Sequence, residues 1–152
     1  MKRFILILVF VLMAVAASAQ HSHGLNVISY GVKSAHPASL RSIKGRAELI
    51  VNNNGKERIF SNIHAQVYRR GVPFVEGECS DVDFVEGKRT YILSGLVSLS
   101  QGQNLWKAIG AALSFRARDY TIDVTMDVAY PSDPSMNTTL VRKGIPLTRY
   151  LD

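Results

Sequence analysis

The stretch YTIDVTMDVAY, residues 120–130, decides the fold. Tyr120, Ile122, Val124, Met126, Val128 and Tyr130 alternate with Thr121, Asp123, Thr125 and Asp127. Successive side chains of a strand point to opposite faces, so this pattern predicts a strand with one buried and one wet face. Working backwards, Ile43, Ala47, Leu49 and Val51 alternate with Lys44, Arg46 and Glu48. The tract Asn52-Asn53-Asn54-Gly55 reads as a turn, because Asn and Gly adopt positive φ cheaply. Ile59, Ile63, Ala65 and Val67 form the expected inner face of the next strand, with His64, Gln66 and Tyr68 outward.

Three further strands follow from the same reading. A short one lies around Phe74 and Val75, starting at Pro73 or lying at an edge, since proline cannot donate to a ladder. A longer one carries Tyr91, Leu93, Val97 and Leu99, with Gly95 as a candidate bulge. The last spans Thr138 to Leu147 and is broken near Gly144-Ile145-Pro146. At the front, Leu25 to Lys33 reads as a strand with Ile28, Tyr30 and Val32 on one face. Ser34 to Leu40, containing Pro37, reads as a loop, as does Pro131 to Asn137. About seven strands at these spacings suit an all-β antiparallel sandwich of the immunoglobulin or fibronectin-III kind. A parallel sheet would need a crossover helix between most strand pairs.

One helix interrupts the strands, before the penultimate one, at about residues 104–113. Asn104 suits its N-cap. Leu105, Ala108, Ile109, Ala112 and Leu113 fall at i, i+3, i+4, i+7 and i+8, which predicts an inward apolar stripe plugging one end of the sandwich. The rival reading is a membrane- or partner-binding helix, for which Lys107 and Gln103 make a thin polar face.

The N-terminus has the form of a secretory signal. Lys2 and Arg3 precede the uncharged apolar run Phe4 to Ala17, and Ala17-Ser18-Ala19 fits signal peptidase. The expected organisation is a signal peptide at 1–19, a flexible N-terminus at 20–24 and one sandwich domain at 25–150. The expected location is periplasmic or extracellular, without a lipid anchor or a membrane span in the mature chain. Loss of Lys2 and Arg3 lowers the formal charge from +6 to +4. The remaining cations are scattered rather than interleaved with aromatics on one face, which argues against nucleic acid as a partner.

Candidate chemistry is sparse. Cys79 is the only cysteine and reads as a buried, inert thiol. Glu76, Glu78, Asp81, Asp83 and Glu86 form an acidic cluster, but without the spacing of a calcium loop. His21 and His23 would sit second and fourth in the mature chain, not third as a tight amino-terminal metal site needs. No Gly-x-Ser-x-Gly elbow or phosphate loop is present. No residue is therefore assigned a catalytic, cofactor-binding or metal-binding role.

Three stretches carry a family resemblance: Ala47 to Asn54 followed by Ile59 to Tyr68; Val67 to Gly77; and Leu99 to Leu113 with Tyr120 to Val128 and Lys143-Gly144-Ile145-Pro146-Leu147. Together they resemble the group-2 late embryogenesis abundant, or water-stress and hypersensitive-response (WHy), domain over about residues 40 to 148. The chain departs from that pattern in having Asn53 rather than proline after Asn52. The resemblance implies a sandwich without cofactor or catalytic residues, acting by binding or shielding in stress and desiccation tolerance. The alternative expectation is a cell-envelope adaptor that offers a sheet edge to a partner protein.

Overall fold

The computed structural model describes residues 24–149, and the expected signal peptide lies outside them. The chain forms an antiparallel β-sandwich with a short helix before its penultimate strand. Its strands are β1 (Leu25–Ser39), β2 (Ser42–Asn53), β3 (Arg58–Arg69), β4 (Val72–Cys79), β5 (Val82–Phe84), β6 (Gly87–Leu99), β7 (Tyr120–Ala129) and β8 (Thr138–Pro146). The helix α1 spans Leu105–Leu113. Hydrogen bonds connect the strands in the order β1-β2-β6-β4-β3-β7-β8, with β5 paired to β3.

The alternating stretch behaves as its pattern dictates: Tyr120, Ile122, Val124, Met126 and Val128 are all buried. They meet Leu49 and Val51 of β2, Ile63, Ala65 and Val67 of β3, and Leu93 and Val97 of β6 in one core. Aromatic rings extend that core in both directions. Phe84 packs edge-on to Phe60 and to Tyr91, each at 5.0 Å between centroids, and Phe74 meets Tyr120 at 5.7 Å. Edge-to-face pairs of this kind add about 0.5–1.5 kcal/mol beyond burial.

Several expectations need correction. The segment from Ser34 is not a loop, since β1 continues through Pro37 to Ser39. β1 ends the hydrogen-bonded path, and an edge strand tolerates proline because one side needs no ladder partner. Register shifts at Val27/Ser29 and Val32/Ser34 leave Ile28 and Tyr30 exposed, so β1 has no single apolar face. The strands number eight among the described residues, because β5 pairs with the first part of β3 after β4 ends at Cys79. Gly95 is no bulge in the β2–β6 ladder; it pairs directly with Gly45 in an unbroken register.

The inner face of β3 also changes phase. Phe60, not Ile59, is buried, and the alternation resumes at Ile63. Asn62 takes φ 51° in the irregularity between Ser61 and His64, which inserts the extra residue. An asparagine adopts that left-handed conformation more readily than most residues. Its Nδ2 donates to Asp127 Oδ2 at 2.7 Å, and Thr139 Oγ1 donates to Asp127 Oδ1 at 2.9 Å. Asp123 Oδ1 likewise accepts from Gly144 N at 2.8 Å, beside the irregularity that interrupts β8. The Asp123 and Asp127 side chains are thus half-buried braces for β3 and β8 rather than freely solvated groups.

The Asn-rich turn is held differently from the positive-φ reading. None of Asn52 to Gly55 has positive φ. Instead the buried Asn53 donates to Lys56 O and Phe84 O at 3.0 and 2.9 Å, while Gly55 N donates to its Oδ1 at 2.9 Å. Gly24, inside the expected flexible tail, is tied to this turn through Asn54 N at 2.9 Å.

The core assignment predicts that Val124→Asp destabilises by several kcal/mol, because an unpaired charge replaces a buried methyl pair. Asp123→Asn should cost under about 0.5 kcal/mol, since the amide oxygen still accepts from Gly144 N. Chemical denaturation of the two variants checks both. The hydrogen bonds from Asn62 and Thr139 hold the Asp127 carboxyl below its ordinary 3.8. Their stabilisation is present above that value and is lost as pH falls through the lower folded-state value. Asp127→Ala should therefore flatten the acid limb of the stability–pH curve, measured as melting temperature from pH 6 downward.

Candidate functional site

Three depressions bring together the residues on which chemistry or binding can rest. The first is an apolar groove at the α1 end of the sandwich, about 340 Å³ in volume. Its lining includes Ile43 of β2, Val75 of β4, and Val97 and Leu99 of β6. Ala35, Pro37 and Leu40 from the β1–β2 hairpin also line it, together with Leu105, the first residue of α1.

Local chemistry explains why the groove keeps this shape. Ser39 and Ser42 join their hydroxyls across the hairpin tip at 2.7 Å, and Arg41 N donates to Ser39 Oγ at 3.0 Å. The Arg41 guanidinium then reaches the chain leading into α1. It donates to Gln103 O at 2.8 Å, Ser100 O at 3.0 Å and Leu99 O at 3.4 Å. The backbone adds Leu99 N to Arg41 O at 2.8 Å. Asn104 caps α1, accepting from Lys107 N at 2.8 Å, as its sequence position predicted. Among the described residues Arg41 has no carboxylate within ion-pair distance. A cation therefore stands at the rim of an otherwise apolar groove.

The helix itself departs from the expected stripe. Ala108 and Ala111 are its buried positions, while Leu105 and Leu113 are exposed and Ile109 is half-buried. Ala108 and Ala111 are what the helix contributes to the core, and its larger side chains lie further outward. Ile109→Ala therefore costs less than the burial expected from the sequence would imply.

The second depression is polar and wider, about 470 Å³. It places Cys79 and Glu78 of β4 beside His36 of β1 and Lys44 and Arg46 of β2. A His thus shares a depression with Cys79, which no sequence neighbour supplied. Burial nevertheless pushes the Cys79 thiol up to about 11, and this outweighs the hydrogen bond from Ser80. Nucleophilic cysteines have the opposite shift. The third depression, about 360 Å³, lies between the β3–β4 hairpin and α1, lined by Arg69, Arg70, Gln103 and Lys107 among others.

The acidic cluster does not converge. Glu76 and Glu78 project from β4 and are exposed, Glu76 lies 3.8 Å from His64, and Asp83 sits on β5. A hydrogen bond and repulsion from Asp83 raise the Glu57 carboxyl. Among the described residues no three His, Cys, Asp or Glu side chains gather as metal ligands. His21 and His23 lie outside the described residues. No described helix is long and apolar enough to cross a bilayer.

The groove was not visible in the sequence. Its floor residues read simply as strand core, and its walls come from a hairpin taken for a loop. The one usable signal was Leu40, an apolar residue between Ser39 and Arg41.

The Cys79 environment predicts slow alkylation. At pH 8 the native protein should react with iodoacetamide at least about a hundredfold more slowly than a free cysteine peptide, because only the thiolate attacks. Mass spectrometry of the native and urea-unfolded protein checks this.

No protein-family model matches the chain, and no curated protein matches it. Among solved structures, a protein from Archaeoglobus fulgidus is similar at 14% identity and a TM-score of 0.45, over 78% of this chain and 94% of that one. A beta-glucuronidase from glycoside hydrolase family 2 is similar at 14% identity and a TM-score of 0.35, over 78% of this chain but only 11% of that enzyme. Neither likeness carries an argument about this chain.

Proposed function

We propose that this chain is an exported, non-enzymatic β-sandwich of the WHy type that acts by binding, with the apolar groove as its ligand site. The observation that supports this reading is the groove itself. Its volume of about 340 Å³ falls within the range of small-molecule pockets, and the surface it presents is mostly apolar, with His36, Arg41 and three serines among its lining residues. The cation at its rim, Arg41, is already fixed by three carbonyls and needs little reordering to face a ligand. An apolar trough with one fixed cation suits an acyl chain with an acidic head. The protective role implied by the WHy resemblance follows from the same surface, which would cover apolar groups when water is scarce.

The adaptor reading through a sheet edge has less support. The two ends of the hydrogen-bonded path are β1 and β8. β1 carries three register shifts, and β8 carries Arg142, Lys143 and a shift of its own. Bulges and edge charges discourage strand addition.

The experiment uses a fluorescent fatty acid in vesicle-free buffer. Wild type should bind it saturably. Leu105→Glu puts a charge into the groove wall at an exposed position, so it should weaken binding about tenfold or more with an unchanged melting temperature. The same pair should be dried with a labile enzyme, and wild type should preserve more activity than the variant. Absence of saturable binding by wild type would remove the groove as the ligand site. Equal protection by both proteins would separate protection from the groove.

A further inference from the structure

The outer face of α1 is apolar where a solvated helix would be polar. Trp106 is 81% exposed and Leu113 73% exposed, with Ile109 half-buried and Gly110 exposed between them. These four stand at i, i+3, i+4 and i+7, one stripe pointing away from the buried Ala108 and Ala111. Leu40 and Val72 are exposed at the same end, the first beside Leu105 in the groove, the second in the basic depression. Exposed apolar side chains scattered singly are normal, but a cluster at one end of a small domain marks an interaction surface.

The charges beside this stripe indicate what covers it. Lys107 is the only charged residue of α1. The β3–β4 hairpin brings Arg69 and Arg70 to the same depression, a placement that sequence order conceals. Arg70 pairs with Asp119 at 3.2 Å. Arg69 and Lys107 have no carboxylate within ion-pair distance among the described residues. Arg69 Nε is shut off from solvent and has no hydrogen-bond partner. That atom is beyond the reach of an external ligand, so the charge of the Arg69 guanidinium as a whole, with that of Lys107, is what suits phosphate oxygens.

We propose that the α1 end of the sandwich docks on an anionic lipid surface. Trp106 and Leu113 enter the interface, and Arg69 and Lys107 take up headgroup phosphates. Tryptophan favours the headgroup level of a bilayer, and cations beside it gain from a negative surface. A protein partner for the same stripe would have to answer these cations with carboxylates, whereas an anionic bilayer supplies phosphates across the whole face. This inference goes beyond the groove reading, and the vesicle-free fatty-acid assay tests that reading separately.

Trp106 is the only tryptophan in the chain, so intrinsic fluorescence reports this residue directly. The mature protein should be titrated with phosphatidylglycerol-containing vesicles and with pure phosphatidylcholine vesicles. The expected result is a blue shift and at least about tenfold tighter binding to the anionic vesicles, weakened by salt. Trp106→Ser should remove most co-sedimentation without changing the melting temperature. Lys107→Met and Arg69→Met should each weaken binding about fivefold. Lys88→Met, at the opposite end of β6, should leave it unchanged. Should Arg69→Met fold poorly, exposed Lys107 carries the charge test alone. Equal affinity for neutral and anionic vesicles, an unmoved Trp106 emission, or the same loss in Lys88→Met would each overturn the proposal. So would a stoichiometric protein partner held through Trp106 by a chain without vesicle affinity.

Discussion

The hydrogen bonding of β4 on both of its sides holds the two halves of this molecule together. Val75 to Cys79 pair with Leu99 to Gly95 of β6, and the same segment pairs with Ile63 to Val67 of β3. Remove β4, and the group β1-β2-β6 loses its hydrogen-bonded connection to the group β3-β7-β8. β4 also contributes Phe74 and Val75 as adjacent buried residues, possible because the irregularity at Val67/Tyr68 leaves Phe74 unpaired. Gln66 reinforces the junction: its Nε2 reaches Val75 O at 2.9 Å and Ser100 Oγ at 3.0 Å. Pro73 is tolerated because it precedes the doubly paired segment.

Polar side chains finish each end of the sandwich by satisfying backbone groups that the ladders leave over. Asn53 closes the end near the β2–β3 turn, and Arg41 closes the end near α1. The two solutions differ in consequence. Asn53 is buried and spends its bonding capacity on the turn and on Phe84 O, so its end is sealed. Arg41 is exposed and turns both terminal nitrogens of its fork to carbonyls of the chain entering α1, while the apolar groove beside it stays open. Electrostatic character follows the same division: the cations Arg41, Arg69, Arg70 and Lys107 collect around the open end.

How much the sequence disclosed depended on whether period-two alternation survived intact. β2 and β7 were legible residue by residue, as were the buried Leu49, Val51, Val124 and Met126. The helix and its Asn104 cap were legible too, because capping is a local interaction. β3 was legible only beyond Asn62, since one inserted residue exchanges inner and outer faces. β1 was misread because three register shifts destroy its periodicity and Pro37 looks like a breaker when edge position is unknown. The face α1 turns inward was misread because alanine carries little hydrophobic weight in a pattern, although it permits the closest approach of a helix to a core. The groove and the basic depression depend on pairings between segments more than thirty residues apart in sequence, and no local pattern encodes those.

β7 has a consequence for how the chain reaches this structure. Its neighbour β8 follows closely in sequence, but its other neighbour, β3, ends fifty residues before it begins. Closing so long a loop must precede any reward from the contact, and sheets with distant pairings fold slowly for that reason. Until β3 arrives, Tyr120 to Val128 presents an unpaired edge and a run of five large apolar side chains. Such a segment is the kind that joins copies of itself into aggregates. Asp123 and Asp127, placed between those side chains, oppose that by mutual repulsion of stacked identical strands. The two carboxylates that brace the finished sandwich thus also act as gatekeepers while it assembles, and neutralising both would show first as a lower yield of soluble refolded chain.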